Sequence, residues 1–167
     1  MILILRLVHI VSGVFWVGSV LFTTVMLLPS IRRAGPSGGA VMNDLGRRMP
    51  PIMMAAAILT VGAGIWLMTI VSGGDVRAWM QSSPGRTFAT GGALAILAVI
   101  LGMAIVAPSA RRMSVIGAAV AKRGGPPEPG EAAELGRLGS RMMTANVVVA
   151  ILLVLATCAM AVARYMP

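Results

Sequence analysis

Four long apolar segments, separated by polar connections, dominate the pattern of hydrophobic and polar positions along the chain. They cover residues 2–28, 52–71, 88–107 and 146–163. A bilayer core of about 30 Å requires about 20 helical residues, so each segment is long enough to cross it. The segments are continuously apolar, whereas the strands of a membrane barrel alternate apolar and polar positions. The pattern therefore predicts an all-α bundle of four transmembrane helices that forms a single membrane domain over residues 1–167.

The composition agrees with this prediction. Apolar residues make up 57% of the chain and charged residues only 11%, whereas a soluble domain carries about 25% charged residues. The first segment differs from a cleaved signal peptide, because it has no basic leader and no small-residue cleavage site after Leu28. We expect it to remain attached to the protein.

The basic residues are distributed unevenly, and their distribution predicts an orientation. Ten of the fourteen Lys and Arg residues lie in the first and third connections. Cytoplasmic loops carry an excess of Lys and Arg, so residues 29–51 and 108–145 are predicted to face the cytoplasm of a cell whose inner membrane holds the protein. Both termini then lie on the periplasmic or extracellular side. Attraction to anionic headgroups accounts for the net charge of +9 without a nucleic-acid partner.

The sequence contains an internal repeat. Pro-Ser-Ile-Arg-Arg at 29–33 recurs as Pro-Ser-Ala-Arg-Arg at 108–112, and Leu-Gly-Arg-Arg-Met at 45–49 recurs as Leu-Gly-Ser-Arg-Met at 138–142. The two offsets, 79 and 93 positions, differ by the length of the stretch 124–137. We interpret the chain as two copies of a helical hairpin, one with an insertion, related by a pseudo-twofold axis along the bilayer normal.

The cytoplasmic connections are expected to be partly helical. Apolar spacing favours helix over 40–49 and 113–121, and the Pro-Pro pair at 50–51 marks a kink or a new helix start. The Gly- and Pro-rich stretch at about 124–130 predicts a flexible loop, and Glu131 follows it in a helical turn.

The single histidine is the most conspicuous polar group within an apolar segment. Arg6 and His9 share one face of the first helix, and Trp16 continues that face. At 1.5 Å per residue His9 lies about 10 Å below the outer end of the helix. An imidazole in hydrocarbon requires a partner for its nitrogens, so His9 is a candidate for chemistry or for helix packing.

Two interpretations of His9 follow. In the first, His9 binds the iron of heme b, Arg6 contacts a propionate, and Trp16 belongs to the same cofactor site. A second ligand comes from Met68, Met160 or a partner chain, or the iron is five-coordinate. Arg86 and Arg164 lie at the same side of the membrane and are further candidates for the propionates. In the second, His9 donates a hydrogen bond to a backbone carbonyl or to Thr157 on a neighbouring helix and serves only packing.

The methionines, Cys158 and Asn146 give fewer indications of function than His9. Thioethers suit Cu(I), and methionines gather near the cytoplasmic ends of the second and fourth helices, namely Met49, Met53, Met54, Met142 and Met143. Methionine also fills gaps in apolar cores, and Cys158 is interpreted as a small core residue. Asn146 is a candidate for an interhelical hydrogen bond. The sequence shows no nucleophile–base pair, paired carboxylate or metal-ligand spacing, so it does not predict a hydrolytic enzyme.

The Leu-Val-His-Ile sequence at 7–10, Trp-Val-Gly at 16–18 and the Pro-terminated first helix resemble the small four-helix membrane proteins related to copper-resistance protein D and to HemJ-type protoporphyrinogen oxidases. Val-Ala-Pro at 106–108 and Arg-Tyr at 164–165 are similar to that group as well. In the HemJ branch the first-helix histidine is associated with heme b, so the resemblance implies a heme at His9. That branch also carries a lysine in its third helix, where this chain has Thr-Gly-Gly at 90–92.

These observations lead to two hypotheses and one further alternative. The protein is a heme-binding membrane subunit associated with a respiratory or photosynthetic redox complex, or it is a cofactor-free subunit that packs against a larger membrane complex. A homo-oligomer would satisfy the same need for partners. Copper handling through the methionines is the remaining alternative.

Overall fold

The computed structural model describes residues 1–35 and 38–167, and all regular secondary structure within them is helical. The α-helices are α1 (Ile2–Phe22), α2 (Leu28–Ala34), α3 (Gly38–Val71), α4 (Val76–Trp79), α5 (Ser83–Leu101), α6 (Ala107–Arg123) and α7 (Pro129–Val162). Two π-helical segments, Thr23–Leu27 and Gly102–Val106, join α1 to α2 and α5 to α6, and a 3₁₀ turn at Ala163–Tyr165 follows α7.

Four of the resulting helical bodies are long and apolar enough to cross a membrane, as predicted. Their outward faces carry large apolar side chains such as Leu3, Ile58 and Leu155. Such faces are unsuited to water and are the normal surface of a helix bundle in lipid. The protein is therefore an all-α, four-helix integral membrane protein.

Two helical hairpins form the bundle. Helix α1 packs along α3, and α5 packs along α7, while contacts of α3 with α5 and of α1 with α7 join the two hairpins. The core between them is built from small residues around Trp16 and Leu153, including Ala57, Ala98 and Ala150. Small side chains let helix backbones approach closely, which is how helices associate where no hydrophobic effect drives them together.

The positions of the two π-helical segments support the internal repeat, in addition to the residue matches in the sequence. Both π-helical segments end just before a proline, Pro29 in the first copy and Pro108 in the second, and they begin at Thr23 and Gly102, which are 79 positions apart. A helical proline lacks the N–H group and its ring clashes with the carbonyl four residues earlier. A π-helical turn there relieves the clash, since it shifts the hydrogen-bonding pattern by one residue.

The helices extend further than the apolar segments. Helix α3 begins at Gly38 and continues through Pro50 and Pro51. Of the two alternatives expected there, a kink or a new helix start, the new start is not found. The first turns of α3 are held by tertiary packing, because a Cβ at Gly46 would lie only 3.1 Å from the carbonyl oxygen of Ala110 in α6. The expected helices over 40–49 and 113–121 are confirmed as parts of α3 and α6.

The loop predicted at about residues 124–130 is slightly shorter in the structure. Gly124 ends α6 with a left-handed backbone, and α7 starts at Pro129 with a capping box between Glu128 and Glu131. Arg112 Nε lies 2.9 Å from Glu134 Oε1, and Arg123 pairs with Glu131. These ion pairs fasten α6 to the first turns of α7, so the loop occupies only the residues between Gly124 and Pro129.

Candidate functional site

The imidazole of His9 lies between α1 and α3, where it is half-buried. Its Nδ1 atom lies 2.7 Å from the carbonyl oxygen of Thr60. The ring also covers Gly64, since a Cβ at that position would come within 2.9 Å of Cε1 and 3.1 Å of Nδ1. The missing side chain of Gly64 is therefore what makes room for His9 between the two helices.

The contact with Thr60 defines the tautomer of His9. A carbonyl oxygen can only accept, so Nδ1 carries the proton and donates it to Thr60. In the neutral ring Nε2 is then unprotonated, and it makes no hydrogen bond with any residue that the structure describes. Histidines that bind metals through Nε2 are commonly oriented by such an Nδ1–H bond to a backbone carbonyl.

Two hydroxyl groups continue the polar contact between α1 and α3. Thr60 Oγ1 lies 2.9 Å from Ser12 Oγ and 2.7 Å from the carbonyl oxygen of Ala56, while Ser12 Oγ donates to the carbonyl of Val8. Of the two packing partners expected for His9, the structure has a backbone carbonyl. Thr157 instead donates to Leu153 within its own helix.

Arg6 lies one turn closer to the start of α1 and is exposed. None of the ion pairs among residues 1–35 and 38–167 includes it. Its guanidinium is thus available to an external anion near the end of the bundle where His9 lies. Arg86, near the start of α5, and Arg164, after α7, lie at the corresponding ends of their helices.

The other residues predicted for a heme site lie in different surroundings. Trp16 is only 4% exposed and belongs to the bundle core, two turns along α1 from His9. Met160 packs across the α5–α7 interface against Gly91. A Cβ added to Gly91 would lie 3.0 Å from Cγ of Met160. Met68 is half-buried on α3, one turn beyond Gly64. The part of Met68 or Met160 as a second ligand stays a prediction.

A second candidate region is a half-open cavity of about 140 Å³, to which all four helical bodies contribute residues. Its wall is mainly aliphatic and includes six methionines: Met42, Met49, Met53, Met54, Met103 and Met142. Four of the five methionines grouped from the sequence are therefore brought together. The fifth, Met143, packs beside Met142 in a neighbouring apolar cluster.

Three side chains give this cavity its polar groups: Ser19, Thr23 and Asn146. The hydroxyl oxygen of Thr23 is buried without a hydrogen-bond partner among the described residues. Asn146 is only 6% exposed, and within the described chain its amide has no hydrogen bond either. The interhelical bond expected for Asn146 is therefore absent, because the amide borders the cavity instead of a neighbouring polar group.

The interpretation of Cys158 as a core residue is wrong. The thiol lies on the exposed face of α7. A membrane helix is apolar on both its inner and outer faces, so hydrophobicity alone does not show which way a small residue points. Nowhere in residues 1–35 and 38–167 do three His, Cys, Asp or Glu side chains come together as a metal site.

No family model, curated protein or solved structure matches this chain. The contacts around His9 and the central cavity are the features of the molecule that bear on its function.

Proposed function

We propose that the protein is a heme-b-binding subunit of the membrane, in which Nε2 of His9 would hold the heme iron. The observation that supports this is the hydrogen bond from Nδ1 to the carbonyl of Thr60, because it leaves the unprotonated Nε2 without a partner. His9 would hold the iron through this one nitrogen. The sequence has no second histidine, so a further ligand would come from Met68, Met160 or a partner chain, or the iron would have no second protein ligand.

Each residue near this position has a defined physical part. The Thr60 carbonyl fixes the imidazole plane and keeps the proton on Nδ1. Gly64 admits the ring between α1 and α3. Arg6, exposed and one turn away, offers the charge that a carboxylate of the heme would require. Heme itself supplies one-electron chemistry, which suits an auxiliary subunit of a membrane redox assembly.

A cofactor-free accessory subunit is the second candidate, and a specific observation favours it. The bond to Thr60 and the contact with Gly64 already provide His9 with a partner and a place to pack. In that case His9 sets the crossing of α1 and α3, and the apolar outward faces of the bundle contact other membrane subunits. Co-purification of further subunits after mild detergent extraction supports this candidate, and a chain that always migrates alone opposes it.

A visible spectrum of the protein purified from its native membrane distinguishes the two candidates. Heme ligated by His9 gives a Soret band that is lost in His9→Ala and partly restored when imidazole is added to that variant. The matched control is Ser12→Ala, which removes a polar contact from the same interface while leaving the imidazole. A preparation without any Soret band contradicts the heme proposal, as does a His9→Ala protein with an unchanged band.

A further inference from the structure

The central cavity lies where the two copies of the repeat face each other. Its wall contains residues from both copies at equivalent positions, for example Val20 with Val99 and Met49 with Met142. Both π-helical segments contribute residues to its wall. The cavity therefore lies where the two hairpins meet without filling the space between them.

The two copies of the repeat carry different side chains at equivalent positions of the cavity wall. Thr23 in the first copy corresponds to Gly102 in the second, and Asn146 in the second corresponds to Met53 in the first. The π-helical segment that contains Thr23 packs against α7, which carries Asn146. The unpaired hydroxyl and the unpaired amide thus belong to adjoining elements, whereas α3 contributes mainly methionines and aliphatic groups.

Buried polar groups without partners are rare in folded proteins because they lose their hydrogen bonds to water and gain nothing in return. Asn146 is only 6% exposed, lines this cavity and has no hydrogen-bond partner among the described residues. The hydroxyl oxygen of Thr23 is itself closed off from the cavity space. The Asn146 amide can donate a hydrogen bond, and an acceptor atom placed in the cavity would satisfy it.

We propose that this cavity binds an uncharged, mainly apolar molecule whose single carbonyl or hydroxyl oxygen accepts a hydrogen bond from the amide of Asn146. The 140 Å³ volume leaves room for about ten non-hydrogen atoms, since one water occupies about 10–15 Å³ on the same measure. No charged side chain of the described residues lines the wall, which disfavours an ionic ligand.

The methionines fit such a ligand better than a copper ion. A metal requires its ligating sulphur atoms to converge on one point, whereas these six side chains surround a volume many times that of an ion. Methionine is flexible and polarisable, so a wall built from it adapts to an organic molecule. Trp16 adds a flat aromatic surface to the same wall.

The fluorescence of Trp16 can be used to measure binding of a ligand in the cavity. A Trp66→Phe, Trp79→Phe protein in nanodiscs retains only Trp16, whose emission a bromine atom in the cavity would quench. The probe is 4-bromoacetophenone, an uncharged aromatic ketone of ten non-hydrogen atoms. Saturable quenching is expected with this ketone and none with 4-bromobenzoate, which has the same size but carries a charge.

Two variants test the polar contact and the volume. Asn146→Leu should weaken ketone binding by about threefold to tenfold, the usual effect of losing one hydrogen bond. The analogue 4-bromoethylbenzene lacks the oxygen, so it should bind this variant and the parent protein equally. Gly102→Leu should abolish quenching by filling the cavity, because a Cβ at Gly102 meets no neighbour within 4 Å. Met53→Leu keeps the volume and should retain ketone binding.

Three results would overturn the proposal. Quenching that does not saturate shows that the probe only partitions into lipid. Equal affinity for ketone and ethyl analogue, unchanged in Asn146→Leu, shows an apolar void without a recognised oxygen. Stoichiometric Ag(I) binding that is lost in Met53→Leu and blocks the ketone shows a thioether metal site. His9→Ala should bind the ketone normally, so failure here is distinguishable from failure of the heme proposal.

Discussion

The contact between His9 and Gly64 makes the α1–α3 interface sensitive to a single methyl group. Gly64→Ala would place a Cβ 2.9 Å from Cε1 of the imidazole and 3.1 Å from Nδ1. These distances are too short for the ring to stay, so His9 must tilt or the helices must separate. Overpacking of this kind costs about 1–3 kcal/mol.

Two further terms determine the size of the effect. Displacing the ring weakens the 2.7 Å bond to Thr60, which contributes about 0.5–1.5 kcal/mol. Alanine in a helix interior gains up to about 1 kcal/mol over glycine, and this gain opposes the loss. We expect Gly64→Ala to lower the free energy of unfolding by about 1–3 kcal/mol overall, since clash and lost bond exceed the propensity gain.

Unfolding of the detergent-solubilised protein by increasing fractions of dodecyl sulfate, followed by circular dichroism, measures this change. The matched control is Gly62→Ala on the same helix, where a Cβ meets nothing within 4 Å and should be neutral or slightly stabilising. In a His9→Ala background the clash is gone, so Gly64→Ala should cost little. Equal stability of Gly64→Ala and Gly62→Ala, or an unchanged cost in the His9→Ala background, would refute the proposed contact.

Three other perturbations follow from the described contacts. Gly91→Ala should cost about 1–3 kcal/mol in the same unfolding assay, because its Cβ would lie 3.1 Å from a backbone carbonyl of α7, whereas Gly92→Ala meets no neighbour within 4 Å and should not. Pro108→Ala should slow amide hydrogen exchange over 102–106, because the new N–H lets the π-helical turn revert to α-helix; unchanged exchange would contradict the origin given for that turn. Glu134→Gln should speed exchange in the first turns of α7 by breaking its pair with Arg112, and added salt should reduce the difference between the two proteins.

The number and class of the helices could be predicted from the sequence because they depend on local properties alone. An apolar segment of about 20 residues has to satisfy its backbone internally in lipid, whatever its neighbours are. The continuation of α3 through Pro50 and Pro51 could not be predicted in this way. It is accompanied by the close approach of Gly46 to α6, a contact between distant parts of the chain that the local pattern does not reveal.

The candidate site was predictable to the same limited extent. A lone imidazole in hydrocarbon had to find a polar partner, and a backbone carbonyl was one of the expected partners. That the carbonyl belongs to Thr60, and that Gly64 makes the room, depends on how α1 and α3 are aligned along each other. Asn146 and Cys158 show the opposite case, since the apolar pattern of a membrane helix does not distinguish its inner face from its outer face.

The repeat explains why the deeper cavity exists and why its chemistry is uneven. A duplicated hairpin would place equivalent positions opposite each other, and a π-helical turn precedes Pro29 in the first half and Pro108 in the second. Equal side chains in both copies would give an apolar void that helices could close at little cost. Instead the copies have diverged to Thr23 and Asn146 on adjoining elements, which leaves polar groups that packing alone does not satisfy. A site for an acceptor atom, with methionines around the remainder, is the arrangement in which this divergence has a physical use.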